Sequence, residues 1–244
     1  MKTQTGLIAL AGVALATSFA SAGTVKYYGG DPDDRSGLLD LAVLNEVSPN
    51  TWVFDDFNWA GGTVEALFGN YASAQVFADS VIGMEFEIRE GVGAANGGVL
   101  KASGFTANFT WASLGASFLG SDGYRGTADV ADFVLAPGTY HFAVRPVFAV
   151  PDEELPFSYL VTTDGTNGIG TAGLDGNSFF TGDDSVTSFN FVTSESILDD
   201  PFLGLEGPWD FSQGIIGSSV VIPLPTGAAM GLAGITVVGL RRRR

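Results

Sequence analysis

Short stretches of alternating apolar and polar residues recur along the chain between residues 23 and 219. In the clearest stretch, residues 81–89, three apolar side chains (Met84, Phe86 and Ile88) alternate with three charged ones. A period of two predicts a strand with one buried face. By the same reasoning, strands are predicted at residues 24–28, 51–59, 81–89, 99–102, 106–113, 132–135, 139–150, 157–162, 185–192 and 214–221.

The spacing of these strands predicts the fold class. Many short strands separated by turns rich in Gly, Pro and Asp are typical of an all-β protein, here a single β-sandwich that is jelly-roll-like. Helical periodicity is confined to residues 36–47 and 64–77, which we predict as short helices, the second one interrupted by Gly69. With no internal repeat, residues 23–219 are predicted to form one ectodomain.

Residues 1–22 have the three parts of a secretory signal peptide. Lys2 supplies a positive charge, residues 6–16 are apolar, and the small residues Ala20 and Ala22 define a cleavage site before Gly23. The apolar stretch is too short to span a bilayer. We therefore expect export and removal of this segment by signal peptidase.

Residues 220–244 form a second segment of distinct composition. Pro223, Leu224 and Pro225 predict an extended piece, because each proline fixes φ and lacks an N–H donor. The uncharged residues 227–240 would form a helix of about 21 Å, shorter than the roughly 30 Å hydrocarbon core of a bilayer. Arginines that keep a C-terminus cytoplasmic follow it: Arg241, Arg242, Arg243 and Arg244.

This three-part tail resembles the PEP-CTERM class of bacterial sorting signals, in particular its VPLPA-CTERM-like variants. The resemblance is confined mainly to the tail. It implies recognition by an exosortase-type membrane transpeptidase, followed by attachment at the cell surface or release into the extracellular matrix. The commonest form of the motif has Glu between the prolines, where this chain has Leu224. The alternative is an ordinary C-terminal membrane anchor, so the tail is predicted to contact the membrane transiently or permanently.

The composition narrows the function further. The chain has 27 acidic and 11 basic residues and a net charge of −16, which disfavours nucleic acid and anionic lipid as partners. It contains no Cys and one His. Disulfides, thiol nucleophiles and metal sites made of Cys or of several His residues are therefore excluded.

Calcium is the cofactor that the acidic loops would suit. Asp31, Asp33 and Asp34 fall in a glycine-rich turn, and hard cations prefer several oxygen ligands from a loop that can wrap around them. The spacing is not that of an EF-hand, because Arg35 and Ala42 occupy ligand positions. The alternative is that these carboxylates are solvated charges.

Three further features of the sequence concern two aspartates in an aromatic strand, the single histidine and the tryptophans. The strand predicted at residues 51–59 places Asp55 and Asp56 on opposite faces, so a buried one would need an arginine, backbone N–H groups or a metal as partner. His141 is predicted on the surface of its strand. Trp209 lies in a Gly/Pro loop and is the candidate for stacking against a sugar, whereas the other tryptophans are predicted in the core.

These observations favour an exported, surface-sorted, non-catalytic β-sandwich with a structural, adhesive or extracellular-matrix role. One alternative is an extracellular carbohydrate-binding module, with or without calcium, whose partner is a polysaccharide. Another is a secreted glycan-active enzyme that uses two carboxylates, although no spacing in the sequence selects a pair.

Overall fold

The structure is a computed structural model that describes residues 23–44, 50–151, 156–170, 175–182, 191–200 and 205–219. The predicted signal peptide, the sorting tail and most of the strand predicted at residues 185–192 lie outside these ranges. Within them, neither of the helices, each a single turn, is long and apolar enough to cross a membrane.

The described residues form fifteen strands and two helices. In chain order they are β1 (Thr24–Tyr28), β2 (Pro32–Leu39), β3 (Ala42–Val43), β4 (Trp52–Trp59), β5 (Gly62–Ser73), α1 (Gln75–Ala78), β6 (Val81–Glu90), β7 (Val99–Thr106), β8 (Phe109–Phe118), β9 (Ser121–Leu135), β10 (Gly138–Phe148), β11 (Ser158–Thr163), β12 (Phe179–Thr181), β13 (Val192–Thr193), α2 (Glu195–Leu198), β14 (Asp210–Phe211) and β15 (Gln213–Ser218). The all-β class is confirmed.

Strand β5 is the centre of the first of two curled sheets. One edge of β5 pairs with β9, and β8 continues the sheet on that side. The other edge pairs with β15 along residues 63–69 and with β11 along residues 71–73. Strand β1 pairs with β15, whereas β2 and β14 pair with β11. All of these pairings are antiparallel.

Strand β10 is the centre of the second sheet. Its strand order is β13-β12-β4-β10-β6-β7, and each neighbouring pair is antiparallel. The two-residue strand β3 adds a short parallel pairing to the end of β10. Both β7 and β8 are therefore edge strands, each with a single partner among the described strands.

One apolar core contains side chains from both sheets. Leu67 and Ile215 from the first sheet belong to the same buried cluster as Phe57, Phe142 and Val144 from the second. The rings of Phe57 and Phe142 meet edge to face, with centroids 5.3 Å apart. Burial of this shared surface is the dominant favourable contribution to folding.

The prediction of helices at residues 36–47 and 64–77 is wrong. Strands β2 and β3 cover much of the first range, and β5 occupies most of the second. The second half of β5 is buried on both faces, so its residues show no alternation, and a short apolar run cannot be distinguished from a buried helix by periodicity. Gly69 does not interrupt the strand. A larger residue would not fit at this position, because a Cβ there would be 2.6 Å from the hydroxyl oxygen of Tyr71.

Two valines on adjacent strands test this arrangement. Val64 on β5 is 0% exposed, whereas Val134 on β9, which pairs with the preceding residue Thr63, is 72% exposed. We expect Val64→Ala to lower the free energy of unfolding by about 2 kcal/mol, because two buried methyl groups are lost and a cavity is left. Val134→Ala is the matched control and should change it by less than about 0.5 kcal/mol. Urea denaturation measures both free energies of unfolding. Equal effects would contradict the assignment of Val64 to the buried face and of Val134 to the exposed face.

Candidate functional site

The aspartates of β4 lie on opposite faces of the strand, as predicted. Asp55 is 0% exposed and points to the inner side, whereas Asp56 is partly exposed. The Asp55 carboxylate accepts hydrogen bonds from the backbone N–H of Phe211 at 2.8 Å and of Asp56 at 3.0 Å. The prediction that a buried aspartate needs a partner is confirmed, and the partners are backbone N–H groups.

A second buried carboxylate, Asp210 on β14, lies beside Asp55. Asp210 is 5% exposed, its Oδ2 accepts from the N–H of Asp175 at 3.1 Å, and its Oδ1 has no hydrogen-bond partner among the described residues. Asp55 and Asp210, which we call the buried carboxylate pair, connect the second sheet to the first. Sequence reasoning missed Asp210, because no local pattern indicates that β14 packs against β4.

The pair holds protons at pH values where exposed aspartates are ionised. Burial, and next the charge of Asp210, raise the pKa of Asp55 well above its usual range. Burial, and next the charges of Asp175 and Asp56, raise the pKa of Asp210 to about 7. Burial also raises the pKa of Asp56 to about 6, with Asp175 as the second cause. Desolvation disfavours the charged form of each carboxyl, and neighbouring like charges add to it.

His141 is buried, so the prediction that it lies on the surface is wrong. Its ring packs edge-on against Phe179, with centroids 5.4 Å apart, and its Nε2 lies 3.1 Å from the carbonyl oxygen of Asn177. Burial lowers the pKa of His141. Phe179 of β12 and Asn177 come from a distant part of the chain, and the sequence gives no sign that they contact His141.

The three aspartates predicted to bind calcium lie in or just before β2, and each carboxylate already accepts hydrogen bonds from protein groups. The donors are Tyr28 and Asn167 for Asp31, Arg35 and Thr162 for Asp33, and the N–H of Leu119 for Asp34. Across the described ranges, no three His, Cys, Asp or Glu side chains are placed to hold a metal ion. Calcium binding stays a prediction.

Trp209 is not available as a sugar-stacking platform, because its side chain is 1% exposed. Its indole Nε1 donates to Oδ1 of Asp199 at 2.6 Å, and the guanidinium of Arg35 lies 4.9 Å from the ring centroid. The glycan contact predicted for Trp209 is therefore not supported. The cause is tertiary: a Gly/Pro loop that looks exposed in sequence is packed against β2 and the segment that follows α2.

The outer face of the second sheet carries a depression of about 420 Å³, which we call the polar groove. Its lining residues come from β4, β6, β7 and β10: Trp52, Glu85, Phe86, Glu87, Ser103, Gly104 and Arg145. The register places Arg145 opposite Glu85 and Glu87 opposite Ser103. The alternation seen in residues 81–89 thus puts the charged face of β6 in the middle of the groove.

Ion pairs fix the charged side chains of the groove. Arg145 donates from Nη2 and Nε to Oε2 of Glu85, at 2.6 and 2.9 Å. Its guanidinium also lies 3.7 Å from the ring centroid of Trp52. Next to it, Nε of Arg89 donates to Oε2 of Glu87 at 2.5 Å. Both guanidinium groups are buried, and their charge-assisted hydrogen bonds hold the two glutamate side chains in place.

The fold and these sites define an all-β protein built from two curled antiparallel sheets. The chain matches no protein-family model, no curated protein and no solved structure. Its functional assignment therefore depends on its own residues.

The buried carboxylate pair predicts a pH dependence of stability. Between the usual aspartate pKa of 3.8 and the raised pKa of about 7, the folded state binds more protons at Asp210 than the unfolded state does. This contribution to stability is complete below about pH 4 and is lost as the pH rises to about 7. We expect Asp210→Asn to reduce the fall in melting temperature between pH 5 and pH 8 by about 5–10 °C, or ~2.5 kcal/mol.

The matched control for this measurement is Asp132→Asn, which removes one exposed carboxylate from β9. It should leave the difference between the two pH values close to that of the natural chain. An unchanged difference in Asp210→Asn would show that Asp210 does not hold an extra proton in the folded state.

The calcium prediction is tested by thermal unfolding. Binding at Asp31, Asp33 and Asp34 would raise the melting temperature on addition of Ca²⁺ and lower it on addition of EDTA, because a ligand that binds only the folded state stabilises it. A melting temperature that is the same under both conditions would remove the prediction.

Proposed function

We propose that this chain is an exported, surface-sorted, non-catalytic β-sandwich of jelly-roll type with a structural, adhesive or extracellular-matrix role. The two sheets with their shared core support the sandwich, because each covers the apolar face of the other. The ends of the sequence support export and sorting, through the signal peptide of residues 1–22 and the tail of residues 220–244.

The observation that carries the non-catalytic part of this proposal is the position of the buried carboxylate pair. Raised carboxyl pKa values are a common mark of acid–base catalysis. A glycosidase, however, needs both carboxyl groups beside its substrate. Asp55 is enclosed between the sheets and bonded to backbone N–H groups, so it serves to join β4 to β14.

The adhesive part of the proposal is supported by the outer surface. The polar groove presents fixed hydrogen-bonding groups on a sheet face, in contrast to the enclosed aspartates. In this proposal, signal peptidase and an exosortase-type transpeptidase process the chain. The body then acts at the cell surface or in the extracellular matrix, and the membrane is contacted only through the tail.

The experiment is the intact mass of the mature protein from its native host. We expect a chain that starts at Gly23 and lacks everything beyond the Pro223–Pro225 motif. Pro223→Ala should prevent removal of the tail, because the motif is altered. Pro137→Ala, in a turn of the body, is the control and should be processed normally. A mature chain that retains Arg241 to Arg244 would contradict sorting and indicate a membrane anchor.

A further inference from the structure

The two carboxylates of the polar groove are each paired with an arginine, although the whole chain carries −16. Glu85 is neutralised by Arg145 and Glu87 by Arg89, through contacts of 2.6 and 2.5 Å. A groove of balanced charge gives no strong attraction to an anion or a cation. The ligand that fits such a groove is neutral and forms hydrogen bonds.

Acceptors for such a ligand remain in the groove. Both hydrogen bonds that Arg145 donates to Glu85 go to Oε2, and the Glu85 side chain is 31% exposed, so its Oε1 can accept a hydrogen bond from a ligand. The hydroxyl of Ser103 lies on the same face, opposite Glu87. The ion pair holds the Glu85 carboxylate in place, so little conformational entropy is lost when a ligand donates to it.

An exposed aromatic ring borders these groups. Phe105 on β7 is opposite Glu85 in register and is 53% exposed. Its ring occupies the space over Gly83, where a Cβ would lie 2.3 Å from Phe105 Cε2. Glycine at this position lets the ring lie over the sheet, on the same face as Glu85.

A sugar ring has apolar C–H faces and a rim of hydroxyl groups, which match an exposed aromatic ring beside fixed carboxylates. The volume of about 420 Å³ lies within the usual range for small-molecule sites. We propose that the polar groove binds a neutral polysaccharide, with Phe105 contacting the face of a sugar ring and with Glu85 and Ser103 bonded to its hydroxyls. This site gives the adhesive role of the proposed function a ligand class and rests on that function only for its location outside the cell.

The test is affinity gel electrophoresis of the full-length chain, kept in solution by a polyoxyethylene detergent that has no sugar head group. The gels contain a neutral β-glucan, a neutral galactomannan or, as the charged comparison, a polyuronate. We expect retardation by at least one neutral polysaccharide. Phe105→Ala should weaken the apparent affinity about tenfold, because the ring contact is lost.

Two further variants address the polar side of the groove. Ser103→Trp fills the groove from an exposed position and should abolish retardation. Glu85→Gln removes one negative charge and a charge-assisted acceptor from the groove, so we expect weaker retardation by the neutral polysaccharide and new retardation by the polyuronate. Val99→Ala, an exposed apolar position at the start of the same strand, is the control and should behave like the natural chain. Melting temperatures of all variants verify that they are folded.

No retardation of the natural chain by either neutral polysaccharide would overturn the proposal, and so would retardation by the polyuronate alone. Retardation that persists in both Phe105→Ala and Ser103→Trp would place the binding elsewhere and also overturn it. The mass experiment separates this result from sorting. A chain that is processed but binds no polysaccharide would contradict only the proposed binding by the groove. A chain that binds polysaccharide but keeps its tail would contradict only the proposed sorting.

Discussion

The contact between the inner faces of the two sheets is the constraint on which the rest of the protein depends. Two polar groups within this contact, a tyrosine hydroxyl and a glutamine amide, form hydrogen bonds to the backbone of the opposite sheet. The Tyr71 hydroxyl of β5 donates to the carbonyl of Val144 on β10, and Nε2 of Gln213 donates to the carbonyl of Phe142 at 3.2 Å. A buried polar group without a partner is costly, so these bonds limit how the sheets can slide past each other.

The same contact accounts for the buried carboxylate pair. Asp55 lies on the inner face of β4, and the only way to enclose it is to supply donors and to suppress its charge. The N–H of Phe211 donates to it, and burial, followed by the charge of Asp210, raises its pKa and favours the protonated form. The pair therefore belongs to the joint between the sheets, and its raised pKa values follow from that position.

The outer face of the second sheet follows a different principle. Its charged side chains form opposite pairs, Arg145 with Glu85 between β10 and β6 and Arg89 with Glu87 within β6. The guanidinium of Arg145 also packs on the ring of Trp52. Each ion pair is neutral as a whole and its side chains are held in place. Such a surface is suited to bind a ligand through hydrogen bonds. The enclosed acids thus belong to the joint between the sheets, whereas the groove carries the residues that we propose bind a ligand.

The sequence by itself determined the all-β class and many of the strands, because a half-buried strand imposes a period of two, as in β6, and the bounds of β1 agree with those predicted. It failed at β5, where burial of both faces removes the period, and at β2, whose turn residues pair with β11. It placed one aspartate on each face of β4. Only the tertiary structure decided that Asp55 meets Asp210, that Trp209 and His141 are enclosed, and that Arg145 meets Glu85. These pairings join residues far apart in the chain, and periodicity carries no information about which strands become neighbours.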